Sequence, residues 1–233
     1  MISNIQVKIL TNLLKSQGLK YSQAKPKTIA NDLYNYHLQF LVKKGLVIKS
    51  DDRYNLTIKG KKYVQRLDAS GNIKEYFRFS VLPYTVRTNK GKREILLHKR
   101  KRHPYYGDIG TVSGKVNPGE NVEDAASRKL KEETGLECKF RFIGVLREIR
   151  RDKNREIIED TLYHICYGEN PKGNLIEVNR FGEHFWDSFK NALKYQKVNI
   201  TSSPKSAEVL KRIKNKDLRL FYFTEDFVMK KIL

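Results

Sequence analysis

The segment from Gly114 to Leu136, GKVNPGENVEDAASRKLKEETGL, constrains the fold of this chain more than any other stretch. Pro118-Gly119 turns the backbone, and Glu120 or Asn121 opens a helix whose acidic first turn matches the positive end of a helix dipole. Val122, Ala125, Ala126 and Leu130 give that helix a small apolar face, suited to lying against a sheet. Glu132 and Glu133 fall near its C-terminal end, where their charge opposes the dipole and asks for a positive compensator. Hard oxygen ligands suit Mg²⁺, which keeps several waters and bridges phosphates. Taken by itself, the pair also fits a solvent-facing helix end with i,i+4 partners such as Lys129–Glu133.

The spacing resembles the Nudix box, G-x5-E-x7-R-E-U-x-E-E-x-G-U with U apolar. Gly114, Glu120, Arg128, Leu130, Glu132, Glu133, Gly135 and Leu136 all fit, and Lys129 stands where the family has glutamate. The resemblance implies a nucleoside diphosphate linked to another group as ligand, and Mg²⁺ or Mn²⁺ as cofactor. It implies catalytic roles for Arg128, Glu132 and Glu133, with Arg128 bracing the carboxylates. Glu132, Glu133 and Glu120 become the expected metal ligands, and Gly114 and Lys115 the expected substrate contacts. A further acid from outside the box is expected among Glu183, Glu159 and Asp160, with Glu120 as the alternative from inside it. Tyr105, Tyr106 and Trp186 could stack on a base, although core or rim packing is the simpler reading of each.

Lys129 shares a helix face with Glu132 and Glu133, three and four residues on. Its ammonium would repel a nearby Mg²⁺ and can pair with Glu133 instead, and a protonated lysine is no base at neutral pH unless its pKa falls substantially. Two readings follow. One is a metal-dependent pyrophosphohydrolase relying on Glu132, Glu133 and an outside acid. The other, preferred here, is a ligand-binding Nudix fold with weak or absent turnover that controls a DNA-binding domain.

Flanking patterns extend the resemblance over residues 76 to about 195. Phe77–Val86 and Glu94–His98 read as strands around a turn at Asn89–Lys92, and Pro104–Gly107 leads to the box. Phe140–Ile149 and Thr161–Tyr167 are two further strands. Glu183–Phe189 resembles the family's late loop, with a closing helix at Asn191–Leu193. Residues 201–233 form a C-terminal extension, helical in pattern at Ala207–Ile213 and without an assigned role.

The chain has 233 residues, enough for two small domains, and Leu67–Ile73 gathers turn formers, placing a linker near 67–75. Before it, Ile5–Leu14 has a helical apolar face. A helix starting near Pro26–Thr28 carries Ile29, Leu33, Leu38, Leu41 and Val42 to Gly45. Leu46–Ile58 reads as strand, turn at Ser50–Arg53 and strand, and a last helix follows Gly60. Over residues 3–68 this order resembles winged-helix transcription regulators.

The expected fold is therefore α+β: an N-terminal winged helix-turn-helix (1–70), then a Nudix α/β/α sandwich with a mixed sheet (76–200). The resemblance makes the helix from about Lys27 the recognition helix, with Lys27, Asn31, Tyr34 and Asn35 facing base edges and Lys49 and Arg53 meeting phosphates. Charge agrees. Lys and Arg number 47 against 26 Asp and Glu, a formal +21, and residues 1–70 carry 13 against 4. A protein-docking or dimerising domain is the alternative for this third of the chain, and a two-fold homodimer would match a palindromic DNA site. No apolar run approaches the roughly 20 residues of a membrane span, and the opening lacks a secretory signal. Cys138 and Cys166 read as reduced core residues, and the expected location is the cytoplasm.

Overall fold

The computed structural model describes residues 3–14, 16, 18–64, 78–101, 105–199, 201 and 203–229, which fall into two compact units dividing after Tyr76. The expected linker at 67–75, the start of the strand at Phe77, and Pro104 lie outside these residues.

The first unit is helical with a small sheet. It runs α1 (Asn4–Leu14), β1 (Leu19–Lys20), α2 (Tyr21–Ala24), α3 (Asn31–Lys43), β2 (Val47–Ser50), β3 (Arg53–Leu56) and α4 (Ile58–Val64), with strand order β1-β3-β2. Ile9, Leu10 and Leu13 of α1 meet Tyr34, Leu38 and Leu41 of α3 in one core. β2 and β3 join through the two residues Asp51-Asp52, with Asp51 at φ 55°, as a tight hairpin requires.

Three expectations change here. The long helix begins at Asn31, because Pro26 accepts a turn hydrogen bond from Ile29 N at 3.2 Å and residues 26–30 form that turn. Tyr34 is fully buried while Leu33 is 46 % exposed. Residues 34, 38 and 41 follow the i, i+4, i+7 spacing of one helix face, and Leu33 lies about 100° away from it. Tyr34 therefore serves the core and is removed from the base-reading candidates. The last helix starts at Ile58, before Gly60, because Thr57 Oγ1 accepts from Gly60 N at 3.0 Å and draws the turn together.

The second unit contains β4 (Arg78–Asn89), β5 (Lys92–Arg100), β6 (Ile109–Gly110), β7 (Gly114–Lys115), α5 (Val122–Thr134), β8 (Arg141–Arg151), β9 (Ile157–Glu169), β10 (Gly182–Ser188), α6 (Phe189–Val198), α7 (Pro204–Lys214) and β11 (Phe221–Val228). The sheet runs β10-β5-β4-β9-β8-β11, with β6 on β5 and β7 on β4. It is mixed: β4 runs parallel to β9 and β11 parallel to β8, and the other pairs are antiparallel.

Alternation along each strand feeds two opposite cores. On β5, Ile95 and Leu97 join Val209, Leu210 and Ile213 of α7, while Leu96 joins Leu130 of α5. The small face expected for α5 is real, since Ala125 and Ala126 are fully buried against Val81 and Cys166. The segment expected to be a late loop is β10, an edge strand paired with β5. The expected C-terminal extension is part of this unit: α7 is helical as its pattern implied, but 221–228 is a strand that lengthens the sheet. Its alternation of half-buried and exposed residues is that of a sheet edge.

Candidate active site

The box segment folds as a loop and helix against β4. Asn117 N donates to Glu120 Oε2 at 2.9 Å, closing the turn before α5, and Gly135 ends the helix at φ 74°. Arg128 is the organiser. Its Nε and an Nη donate to the two oxygens of Glu120 at 2.6 and 2.7 Å, its other Nη to Glu132 at 3.0 Å, and it also reaches the Lys115 carbonyl at 3.2 Å. The guanidinium holds the Glu120 carboxyl down to about 2. The bracing arginine implied by the resemblance thus ties the box loop to the helix.

Lys129 fills the space beside it. Its Nζ donates to Glu132 at 2.8 Å and lies 3.7 Å from Glu133 Oε1. Its stem lies against Gly114 so closely that a Cβ there would stand 2.0 Å from the lysine Cε, so any side chain at 114 would have to push the lysine aside. The Lys129 ammonium and the Arg128 guanidinium together hold Glu132 below the usual carboxylate range.

Glu133 differs from its neighbour. Its side chain is 7 % exposed against 43 % for Glu132, and burial pushes its carboxyl up to about 7 despite the pull of Lys129 and Arg100. Its Oε2 faces His98 Nδ1 at 3.8 Å. His98 and His184 are cross-strand partners of β5 and β10, and their rings stack at 4.8 Å. Among the described residues, His98, Glu133 and His184 are the group able to hold a metal ion, with ligand atoms all within 4.8 Å of one another.

A cleft of about 180 Å³ opens beside the box loop, lined by Gly114 and Lys115 together with Arg78, Arg100, Arg150 and Glu159. It is smaller than the roughly 300–1,000 Å³ that encloses a whole small ligand, so it is sized for a charged part of one. Glu159 is buried there, accepting from Tyr105 Oη at 2.6 Å and pairing with Arg150 at 3.2 Å and Arg78 at 3.0 Å. Burial opposes its ionisation, but Arg150, the Tyr105 hydroxyl and Arg78 prevail and hold it below the usual carboxylate range.

The expected site residues therefore divide. Gly114, Lys115, Glu120, Arg128, Glu132 and Glu133 lie on one loop and helix as the spacing implied, but Glu120, Glu132 and Glu133 do not converge on one point. Arg128 stands between the first two and Lys129 between the second two. With both cations seated there, this carboxylate set does not fit a shared Mg²⁺. Of the outside acids, Glu159 reaches the cleft, whereas Glu183 pairs with Lys101 at 2.9 Å and Asp160 with Arg147 at 2.6 Å. Tyr105 packs and bonds in the interior, and Trp186 packs on Leu96 and Leu130 with Arg87 over its ring. Arg78, Arg100, Arg150, His98 and His184 were missed. Strand alternation puts them on sheet faces but says nothing about what packs over those faces.

In the first unit, Asn31 and Asn35 are exposed one turn apart on α3, Lys27 is exposed in the turn before it, and Lys49 and Arg53 are exposed on the hairpin. Arg53 also donates to the Gly18 carbonyl at 3.1 Å.

A NUDIX domain profile matches residues 78–209. An ADP-ribose pyrophosphatase from Methanocaldococcus jannaschii is 33 % identical over 108 residues, which cover 45 % of this chain and 63 % of that protein, less than two thirds of its length. A MutT mutator protein from Bacillus halodurans has the same fold with a TM-score of 0.53, at 17 % identity over 65 % of this chain and 91 % of its own. The NUDIX domain of Shewanella oneidensis NrtR, solved with ADP ribose, gives 0.51 at 14 % identity over 67 % of this chain and 97 % of its own. These two likenesses concern the fold alone. The profile spans more than half of the chain, carries the box loop, α5 and the cleft-lining strands, and shows that the chain belongs to the NUDIX family.

Proposed function

We propose that the NUDIX unit binds a nucleoside diphosphate linked to a sugar, of the ADP-ribose type, with hydrolysis weak or absent. We propose further that the first unit is a winged helix-turn-helix whose hold on DNA responds to that ligand. The observation that carries the first part is Lys129, seated at 2.8 Å from Glu132 and 3.7 Å from Glu133. A Mg²⁺ shared by those carboxylates would have to displace the ammonium, so the positive charge offered to a diphosphate comes from the protein. Lys115, Arg100 and Arg78 line the cleft and supply it, with Lys129 beside Gly114 at its edge, and fixed cations of this kind bind phosphate oxygens without a metal. The ADP-ribose ligand of the Shewanella protein and the substrate named for the Methanocaldococcus relative both support a nucleotide sugar.

In the first unit, Asn31 and Asn35 on α3 suit base edges, with Lys27, Lys49 and Arg53 on the backbone. A two-fold dimer on a palindromic duplex is the arrangement this reading favours.

The second reading, an active pyrophosphohydrolase, is favoured by the name of the Methanocaldococcus relative. Incubation with Mg²⁺ and ADP-ribose separates the two. The proposal expects little or no release of nucleoside monophosphate by the natural chain and a clear rise in Lys129→Glu, where a carboxylate replaces the ammonium. Turnover by the natural chain that Glu133→Gln abolishes would establish the hydrolase instead.

A further inference from the structure

On the inner side of α5, beside the Lys129 ammonium, two histidines and a glutamate meet in the interior. On β5 the side chains of Leu96 and His98 face α5, and across the edge pair they stand opposite Trp186 and His184 of β10. α5 lays Glu133 over this histidine pair. All three are interior, with His184 1 %, Glu133 5 % and His98 8 % exposed.

The hydrogen bonds fix where the lone pairs point. His98 Nε2 lies 3.1 Å from the Phe181 carbonyl, and a carbonyl only accepts, so Nε2 carries the proton and Nδ1 presents a lone pair. His184 Nδ1 lies 3.2 Å from the Ile176 carbonyl, so its proton is there and Nε2 presents the lone pair. That Nε2 is buried and has no hydrogen-bond partner among the described residues. Two imidazole lone pairs and a carboxylate oxygen therefore share one enclosed space. A single proton on Glu133 could satisfy only one of the two nitrogens, and at 3.8 Å from His98 it satisfies neither well. A cation satisfies all three.

We infer that His98, Glu133 and His184 form a binding site for a borderline divalent transition-metal ion of the Zn²⁺ class. Imidazole nitrogen selects such ions, whereas Mg²⁺ prefers all-oxygen surroundings. Each histidine already has what a metal-bound imidazole ordinarily has, its other nitrogen donating to a backbone carbonyl that sets the ring. Zinc–ligand bonds of about 2.0–2.1 Å would put neighbouring ligand atoms roughly 3.3 Å apart in a tetrahedral site. The present spread, within 4.8 Å, must tighten by up to about 1.5 Å, within reach of rotamer adjustment. Lys129 engages Oε1 of Glu133, the oxygen not facing His98, so an ion at Oε2 need not displace the ammonium. The ion would tie edge strand β10 to β5 and to the end of the box helix, linking metal supply to the shape of the nucleotide site.

The test uses the full chain stripped with chelator, without nucleotide, then dialysed against Zn²⁺ or Co²⁺ in excess Mg²⁺. The expected result is about one Zn²⁺ per chain, and visible Co²⁺ bands of the intensity of a four-coordinate site. His184→Asn and His98→Asn should each lower metal content at least tenfold and abolish those bands. Both variants should still bind ADP-ribose in chelator, which shows that they are folded and separates this claim from the nucleotide reading. Should either variant fail to fold, Glu133→Gln read by the Co²⁺ spectrum gives the same decision. Metal content well below one per chain in the natural protein, or content and spectrum unchanged in the histidine variants, would overturn the inference.

Discussion

Arg128 and Lys129 show how much one side chain decides. Adjacent on α5, they neutralise Glu120, Glu132 and part of Glu133 between them, turning an acidic box into a locally balanced one. The Glu120–Arg128 pair is bidentate, and its side chains are 16 % and 29 % exposed. Glu120→Gln should therefore cost about 1 kcal/mol at neutral pH, more than an ordinary exposed pair but reduced by solvent screening. The Glu120 carboxyl sits at about 2 in the folded protein against an ordinary 4.5. A depressed folded pKa contributes stability above the ordinary value and loses it as pH falls towards the folded one. Urea unfolding of both proteins should show the difference intact at pH 6 and shrinking between about pH 4.5 and pH 2. A difference that persists at pH 2 would mean that packing, and not charge, accounts for it. Residues of the box were legible because their roles depend on spacing within one helix. His98 and His184 were not, since a histidine in a strand gives no sign of a partner on a helix 35 residues further along the chain from His98.

At the level of elements, strand and helix identities in the NUDIX unit followed from alternation, while the edges of the sheet did not. β10 and β11 are edge strands defined by pairing with β5 and β8, although Phe221–Thr224 are strand-forming residues that were passed over in the sequence. In the first unit the helices were visible, but the inward face of α3 was not, because Leu33 and Tyr34 are adjacent apolar residues and only packing with Leu38 and Leu41 shows that Tyr34 faces the core. Gly60 shows the same dependence on tertiary contact. A Cβ there would come within 2.0 Å of the Leu46 carbonyl oxygen, which belongs to backbone and cannot swing aside. Gly60→Ala should destabilise the first unit by about 2 kcal/mol or more. In thermal melts this appears as earlier loss of the first unit, with ADP-ribose binding by the second unit unchanged. An unaltered melt would show that α4 does not lie against Leu46.

For the molecule as a whole, the formal +21 charge and the helical first unit with its small sheet give the DNA reading its physical basis. If six or more cations meet phosphates, duplex affinity should fall by about 10³-fold or more between 50 and 200 mM salt. Binding that is absent, or indifferent to salt, would leave the first unit as a docking module. In the other unit, on the reading proposed above, Lys129 keeps Mg²⁺ from the box carboxylates and the protein's own cations hold the diphosphate. The most direct measurement is a calorimetric titration of ADP-ribose into the full chain in the presence of chelator. Saturable binding without metal, at least tenfold weaker in Lys129→Glu and recovered there by Mg²⁺, is the predicted result. Binding by the natural chain that requires Mg²⁺ would contradict it.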